Sequence, residues 1–323
     1  MPTRRDVFIK INKTKKLPTP SATTLKVIRL CQDETTSLND ITRVIQTDPA
    51  LSAELLKYAN AAFLSTGIQV ASIQKATVKL GMRNVVNLAL GFSLLSKNKK
   101  GQCSAFDYET FWSTSIFRAI AAKTIAGLSR EFDPEELFVC GLLSNMGQLA
   151  LASLFPQEYA SIFEVFGFDS CADCGSMNAL DILADNPSSI IRKTLEQEQF
   201  EISSSELTTE LFLDWGLPPH YALAAGFYDE LDYIELGTGS TQRIAKLLNL
   251  SHQMAKICHI TQPTSEQLNT IERAAQQFNI NQADFRSIFD AIIKQWYDWG
   301  EIFKIRIPPC MLYDEVLAGG KGE

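Results

Sequence analysis

Helical periodicity runs through almost the whole chain and restricts its fold more than any other feature. Apolar residues recur at spacings of three and four, and the alternation of apolar and polar residues that is typical of strands is almost absent. Helix starts are marked by Asp48-Pro49 and Asp133-Pro134. An aspartate accepts hydrogen bonds from first-turn amides, and a proline fits the first helical position. The chain is therefore predicted to be all-α, with about a dozen helices.

Further start and stop signals divide the chain into helices. Ser37 and Ser72 are predicted to cap two of them, and Gly81 is predicted to end one. The polar, basic stretch 96–104 is predicted to separate an N-terminal helical lobe from a larger C-terminal one. Long helices are predicted at 107–129, 134–154, 204–215, 240–258, 265–277 and 281–303.

The charge of the chain restricts its partners. Its 323 residues carry a formal net charge of -7, which argues against nucleic-acid binding over a broad face, since such binding depends on cations that neutralise phosphate. Residues 1–16 are locally basic and are predicted to form a solvated, partly disordered arm. An arm that docks on nucleic acid or on an acidic partner is the alternative interpretation.

The compartment follows from cysteine usage and from the absence of targeting patterns in the sequence. Seven cysteines, an odd number scattered along the chain, indicate reduced thiols and no disulfide framework. The N-terminal stretch has no long apolar segment of the secretory kind. No stretch approaches the run of about 20 apolar residues that a membrane helix needs. The protein is expected to be soluble and cytoplasmic, with no membrane partner.

An ordered set of motifs resembles the HDOD domain family, bacterial signalling modules related to the HD phosphohydrolases. The motifs include "LPTPSATTLKVIRLCQD", "VIQTDPALSAELLKYANAAF", "SIQKATVKLGMRNVVNLAL" and "FVCGLLSNMGQLALASLFPQEY". The resemblance covers residues 17–230. It implies a two-lobed helical HDOD fold, with an N-terminal helical bundle at 17–104 and an HD-like lobe at 105–230. Helices within 231–303 are expected to complete the HD-like lobe.

The same resemblance implies that a metal site has been lost. HD enzymes hold divalent metals with histidines and aspartates, and the family form of the central motif is close to "GLLHDIGKL". This chain has "GLLSNMGQL", which offers hydroxyl and amide groups, both weak ligands for transition metals. The positions matched to metal ligands are Thr114, Ser144, Asn145, Ser204, Tyr228, Asp229 and His252. We expect no metal, no other cofactor and no hydrolase activity, and we expect Thr114, Ser144, Asn145 and Ser204 to converge in space.

Other residues that could carry chemistry have simpler explanations. His252 and His259 share a helix face but lack further metal ligands nearby in the sequence, so they are interpreted as core or surface histidines. Cys171 and Cys174 form a single CxxC, which without a second pair is interpreted as incidental, with a zinc or redox role as the alternative. The glycines before Ser240 are interpreted as a turn and a helix cap.

The last segment, 304–323, is predicted to be an extended tail outside the folded core. Pro308 and Pro309 remove two amide donors and prevent the preceding helix from continuing. The tail is interpreted either as a docking or linker segment or as a segment packed loosely on its own body.

The sequence thus favours a non-catalytic bacterial signal-transduction module that acts by protein–protein interaction. The resemblance implies protein partners in a signalling pathway linked to cyclic-dinucleotide or two-component systems, and it leaves self-association into a homo-oligomer open. A metal-dependent phosphohydrolase with an unusual site is one alternative. A nucleotide-binding sensor without turnover is the other.

Overall fold

The prediction of an all-α chain is confirmed. The computed structural model describes residues 3–14, 17–31, 33, 35–60, 69–165, 187–231, 236–237 and 239–319, and these residues form helices and contain no strand. The helices are α1 (Arg4–Thr14), α2 (Ala22–Cys31), α3 (Leu38–Gln46), α4 (Pro49–Ala59), α5 (Ile73–Leu80), α6 (Met82–Asn98), α7 (Tyr108–Ser129), α8 (Pro134–Leu143), α9 (Met146–Leu154), α10 (Pro156–Val165), α11 (Pro187–Phe200), α12 (Ser204–Asp214), α13 (Pro219–Phe227), α14 (Gly239–His259), α15 (Ser265–Ala275), α16 (Gln282–Phe303) and α17 (Tyr313–Gly319). A 3-10 turn, Gln276–Phe278, follows α15.

The predicted caps start the helices where the sequence places them. Ser37, Asp48, Ser72 and Asp133 each accept a hydrogen bond from a backbone amide two or three residues further on. These bonds satisfy amides that have no partner within the helix. Gly81 ends α5 with φ 79°, a conformation that costs glycine little.

The predicted long helix 134–154 is broken in two. α8 ends at Leu143 and α9 begins at Met146, and Asn145 between them has left helical geometry, with φ -107° and ψ 18°. The Ser144 hydroxyl bonds back to the carbonyl of Cys140, a local bond that competes with the helix ladder. The corner between α8 and α9 therefore falls on the two matched ligand positions.

The apolar stretch that contains this corner is a core element. Within the described ranges, Pro134–Leu154 alone is long and apolar enough to cross a membrane, and 83% of its 18-residue apolar window is buried inside the protein. The stretch therefore packs inside the hydrophobic core.

The two lobes share one continuous hydrophobic core. α2 to α6 pack on one another in the N-terminal lobe, and α7 lies at the centre of the HD-like lobe in contact with α8, α14 and α16. Between the lobes, the Tyr58 ring lies 4.8 Å from that of Trp299, and the Phe92 ring lies 4.8 Å from that of Phe303. Lys99, at the end of the N-terminal lobe, donates to the carbonyl of Phe303 at the last turn of α16, where a cation also meets the negative end of the helix dipole.

The prediction of a solvated N-terminal arm is wrong. Residues 4–14 form α1, whose apolar face buries Val7, Phe8 and Ile11. Arg4 and Arg5 both bind the buried carboxylate of Glu210 in α12, each at 2.9 Å. The local charge that indicated an arm is paired with a carboxylate far away in sequence, which a local pattern cannot reveal.

The prediction of an extended tail outside the core is also wrong. Residues 305–312 are irregular, as the two prolines require, but α17 follows them and buries Tyr313 and Val316. The Tyr313 hydroxyl donates to Glu272 at 2.7 Å, and its amide donates to Asp290 at 2.9 Å. The apolar residues after the prolines thus form one side of a short amphipathic helix that packs on α15 and α16.

Candidate functional site

Two glycines allow the helices around the site to touch backbone to backbone. A Cβ atom at Gly147 in α9 would lie 1.9 Å from the carbonyl oxygen of Ser204, and one at Gly226 in α13 would lie 2.2 Å from Oγ1 of Thr209. α9 and α13 therefore both approach α12 more closely than any side chain allows. The Gly147 amide uses this proximity to donate to Oγ1 of Thr208 at 2.9 Å.

Four of the matched ligand positions line one small cavity between these helices. They are Ser144, Asn145, Ser204 and Asp229. The remaining lining residues are Gln148, Lys193, Ser205, Thr208 and Gly226. The cavity volume is about 10 Å³, room for one water molecule.

Two further positions adjoin the cavity, and one does not. The Tyr228 hydroxyl donates to Oδ1 of Asn145 at 2.9 Å, and the Tyr228 ring packs edge-on against His252. Thr114 is not among the lining residues and instead hydrogen-bonds to Nε2 of His259 at 3.1 Å. The structure therefore brings Ser144, Asn145 and Ser204 together and places Thr114 elsewhere.

The buried guanidinium of Arg118, one turn beyond Thr114 in α7, lies beside the matched residues Tyr228 and His252. Its Nε donates to the carbonyl of Gly141 at 2.7 Å, and Nη1 lies 3.3 Å from both the Tyr228 hydroxyl and Nδ1 of His252. Gly141 is in the last turn of α8, where carbonyls have no partner in the helix and the dipole favours a cation. Arg118 therefore closes the end of α8 that the corner at Ser144 leaves open.

The Arg118 contacts determine the state of His252. Because a guanidinium can only donate, Nδ1 of His252 must accept, and the ring proton is assigned to Nε2. Burial, together with the positive charges of Lys256 and Arg118, holds the pKa of His252 well below its usual value. His252 is therefore neutral at pH 7, and its Nδ1 is already engaged as the acceptor of a hydrogen bond from Arg118.

A second cation, the ammonium of Lys193 in α11, lies between two carboxylates. Its Nζ is 2.7 Å from Asp229 and 2.6 Å from Glu230. Ser189 donates to the other oxygen of Asp229 at 3.0 Å. Burial lowers the pKa of Lys193, but the two carboxylates outweigh it and raise that pKa overall. Burial likewise opposes ionisation of Asp229, yet the charge and the hydrogen bond of Lys193 hold the pKa of that carboxyl well below its usual range.

These groups do not fit a divalent metal. In the described ranges no set of three or more histidines, cysteines, aspartates or glutamates is placed to hold one. Asp229 is ion-paired with Lys193, and Nδ1 of His252 is hydrogen-bonded to Arg118. The remaining lining groups are hydroxyls and amides, among them a buried Ser204 hydroxyl with no hydrogen-bond partner in the part of the chain that the structure describes. An ordered water molecule is the occupant that this donor set suits.

The sequence also matches a protein-family model. The model of the HDOD domain matches residues 17–179, just over half of the chain. This chain belongs to the HDOD family.

Three solved structures with the same fold differ in how similar their sequences are to this HDOD chain. A response regulator, MmoQ from Methylococcus capsulatus, is 29% identical with a TM-score of 0.50, covering 85% of this chain and 98% of its own. An HDOD domain protein from Geobacter sulfurreducens is 16% identical with a TM-score of 0.66, covering 93% and 96%. A protein from Shewanella amazonensis that is provisionally named a phosphohydrolase is 20% identical with a TM-score of 0.67, covering 92% and 97%. The last two show the fold alone.

One curated relative shares only part of its length with this HDOD chain. An uncharacterized protein of Treponema pallidum (strain Nichols) is 24% identical over 145 residues, which make up 44% of this chain and 27% of the relative. The matched region is thus about a quarter of that relative.

Sequence reasoning missed the two cations of this HDOD site. Arg118 is a single basic residue inside the apolar run "SIFRAIAA", and that isolation was the available signal, since a buried charge needs a partner. Lys193 lies on an ordinary amphipathic helix, and nothing local distinguishes it. Cys171 and Cys174 lie outside the described residues.

Proposed function

We propose that this HDOD chain is a non-catalytic signal-transduction module of bacteria that acts in the cytoplasm by binding a protein partner. The observation that carries the proposal is the position of Lys193, whose ammonium lies between Asp229 and Glu230 beside the matched ligand positions. An ammonium neutralises these carboxylates as a metal would. It has no open coordination position, so it cannot activate a water molecule for attack.

The size of the cavity supports the same proposal. A space of about 10 Å³ has room for one water molecule and is much smaller than a phosphodiester. The close contacts at Gly147 and Gly226 hold the surrounding helices together, so enlarging the cavity means separating helix backbones. These helices therefore form a packed scaffold, and binding falls to the outer surface.

The relatives favour signalling over hydrolysis. The neighbour at 29% identity is named a response regulator, and a link of this chain to two-component or cyclic-dinucleotide pathways is proposed on that likeness and on the family. The phosphohydrolase name belongs to a neighbour at 20% identity, which carries the fold only.

A nucleotide-binding sensor receives no support from Arg118, Arg192 or Arg243. The side chain of Arg118 is fully buried. Arg192 pairs with Glu196, and Arg243 pairs with Glu131.

Metal content and turnover test the non-catalytic half of the proposal. We expect the protein, purified without chelator, to contain far less than one equivalent of Mn, Fe, Ni or Zn and to leave a phosphodiester substrate intact in the presence of each ion. The matched variant carries Ser144→His and Asn145→Asp, which restores the histidine and the aspartate of the family motif. Stoichiometric metal in the unmodified protein, with turnover that Asp229→Asn abolishes, would establish the hydrolase instead.

Partner capture with paired surface variants tests the other half. Val78 in α5 and Leu128 in α7 are large apolar side chains, 66% and 52% exposed, one in each lobe. Val78→Glu and Leu128→Glu should both fold, since neither side chain belongs to the core. In cross-linking from cytoplasmic extracts of the native host, a specific partner is expected to be lost with one variant and kept with the other. A captured set that neither variant changes speaks against these two surface points.

A further inference from the structure

The two arginines at the start of helix α1 meet a buried carboxylate on α12. Nε of Arg4 and Nη1 of Arg5 each lie 2.9 Å from a different oxygen of Glu210, whose side chain is buried. Within the described ranges, the Glu210 carboxylate receives its hydrogen bonds from these two guanidinium groups. The body of the protein thus contains an anionic site that is filled by the N-terminal helix.

The docked residues of α1 have the spacing of a helix that binds in a groove. Arg4 is followed at positions i+3, i+4 and i+7 by Val7, Phe8 and Ile11, and these three apolar side chains are buried. Residues at such spacings share one face of a helix. An amphipathic helix that is recognised in a groove of another protein presents its anchors in this way. Helix α1 therefore has the form of a ligand helix that is bound to its own body.

Helix α1 depends on α12 for its helical state. It has 11 residues, and isolated helices shorter than about 12–15 residues are marginal in water. Arg4 and Arg5 lie in its first turn, where a positive charge opposes the helix dipole, and Asp6 offsets only part of that charge. The Glu210 carboxylate removes this conflict while α1 is docked. Helix formation and docking are therefore coupled, and α1 can leave the body in a local opening that precedes global unfolding.

The contact lies at the surface, where a competing helix can reach it. The side chains of Arg4 and Arg5 are 36% and 49% exposed, although Glu210 beneath them is buried. Thr208, two positions before Glu210, lies on the opposite side of α12, where its hydroxyl accepts from the Gly147 amide of α9. A helix that replaces α1 therefore docks on the outer side of α12 and does not enter the cavity.

We propose that the α12 surface around Glu210 is a docking site for an amphipathic helix of a partner protein, and that α1 occupies this site as an internal competitor. The partner helix carries two adjacent arginines, followed by apolar residues three, four and seven positions after the first arginine. This inference rests on the protein-binding function proposed above and specifies the chemistry of the partner. Both α1 and α12 lie outside residues 17–179, so the matched family region does not include this contact.

The geometry at Glu210 selects arginine over lysine. Each oxygen of the carboxylate accepts one directed hydrogen bond, from Nε of Arg4 and from Nη1 of Arg5. A planar guanidinium holds its donors in a fixed arrangement, whereas the ammonium of a lysine acts as a point charge on a flexible stem. Two neighbouring arginines therefore satisfy the buried carboxylate with less loss of side-chain freedom for each bond.

A synthetic peptide tests whether the site accepts a helix from outside. The probe is a fluorescent peptide of alanine and glutamine that carries only the two arginines and the three apolar residues at the spacing of α1. A peptide of the same composition in scrambled order is its control. We expect the full-length protein to bind the patterned peptide and not the scrambled one, as measured by fluorescence anisotropy.

Variants of the full-length protein separate the competitor from the site. Phe8→Ala removes one apolar anchor of α1 but keeps both arginines for Glu210, and it should bind the patterned peptide about tenfold more tightly, because α1 is docked for less of the time. Adding Glu210→Gln to this variant should weaken the binding about tenfold, because the charge-assisted hydrogen bonds are lost. Lys13→Ala, at an exposed position of α1, is the matched control and should leave the affinity unchanged. Circular dichroism verifies that each variant is folded.

Hydrogen exchange of the unmodified protein gives a measurement that needs no variant. With the patterned peptide at saturation, the amides of 4–14 should exchange faster, because α1 is displaced and its helix is lost. The amides of 204–214 should stay protected, because α12 remains part of the core.

Several outcomes would overturn the proposal. They are equal binding of the two peptides, an affinity that Phe8→Ala or Glu210→Gln leaves unchanged, and exchange of 4–14 that the bound peptide does not alter. A dimer that forms at high concentration and is lost in Glu210→Gln would assign the site to α1 of a second copy. Absence of peptide binding in every variant rejects this docking site alone, since metal content and partner capture test the protein-binding function separately.

Discussion

Arg118 and Lys193 are both buried cations beside the degenerate site, yet their charges are compensated in different ways. Lys193 is paired with two carboxylates, Asp229 and Glu230. Arg118 has no carboxylate within ion-pair distance in the described part of the chain. It binds a helix-terminal carbonyl, a phenol and a neutral imidazole. The pKa of Lys193 is raised, whereas burial lowers that of Arg118.

The difference shows which side of the site depends on charge. Removing Lys193 leaves two acidic groups without a cation, whereas removing Arg118 leaves only neutral hydrogen-bond acceptors without a donor. A buried ion pair contributes little net stability when it is complete, but breaking it from one side is costly. Substitutions at both cations and a fall in pH test this contrast.

Lys193→Met should be the most destabilising change. It keeps an unbranched side chain but leaves the largely covered Asp229 and Glu230 carboxylates, 19% and 15% exposed, without a cation, which costs up to about 3–5 kcal/mol. Urea unfolding at pH 7 measures this loss. The variant that also carries Asp229→Asn and Glu230→Gln is the control, and most of the stability should return in it. If that triple variant is no more stable than Lys193→Met alone, the loss comes from packing and not from charge.

Mild acid should weaken the surroundings of the two α14 histidines, one of which accepts from Arg118, before the Lys193 side. Burial lowers the pKa of His259 to about 4, and it lowers that of His252 also. The unfolded chain therefore takes up these protons first as the pH falls. For His259 the stability is fully present above pH 6.5 and is lost between pH 6.5 and about 4, by about 3 kcal/mol. The low pKa of Asp229 keeps the Lys193 side paired throughout this window.

Urea midpoints between pH 7 and pH 4 measure this loss. His259→Gln keeps a hydrogen-bonding group beside Thr114 and should flatten the profile. A variant profile as steep as that of the unmodified protein would assign the acid sensitivity to other groups.

Arg118→Met should cost less than Lys193→Met. It leaves the Gly141 carbonyl without its hydrogen-bond donor, a loss of about 1–3 kcal/mol. No carboxylate loses a cation, however, and a buried charge is removed. Chemical denaturation of both variants under identical conditions gives the comparison. A loss equal to or above that of Lys193→Met would mean that Arg118 compensates a negative charge after all.

The smallest effects distinguish two neighbouring serines on α12. The Ser205 hydroxyl donates to Glu230, so Ser205→Ala should cost about 1 kcal/mol. The Ser204 hydroxyl has no hydrogen-bond partner among the described residues, so Ser204→Ala should change stability by less than about 0.5 kcal/mol or raise it slightly. Thermal unfolding of the two variants measures the difference in stability. A larger loss at Ser204 would indicate an ordered water that bridges its hydroxyl to the cavity wall.

The sequence was sufficient for the fold because the relevant signals are local. Caps such as Asp48 and Ser72 need only the next few residues, and helical spacing is visible within a short window. The positions at the cavity followed from their place in an ordered motif. Thr114 does not line the cavity, because its hydroxyl is hydrogen-bonded to His259 on α14 instead.

The features that sequence reasoning missed all depend on distant partners. Arg4 and Arg5 appeared solvated because Glu210 is far along the chain, although Val7, Phe8 and Ile11 already had helical spacing. Residues after Pro309 appeared unstructured because the surface that receives α17 is built by other helices. Charge pairing and docking of short segments are tertiary effects, and propensity does not encode them.

The contact between α1 and α12 also sets an order of events on the ribosome. Arg4 and Glu210 are 206 positions apart, which at about 5–20 residues per second amounts to roughly 10–40 s of translation. Throughout that interval the Phe8 face of α1 has no surface to cover it, and a nascent chain in this state is a natural client for chaperones that hold exposed apolar segments. Helix α1 is thus synthesised early but can reach its final position only after α12 has emerged.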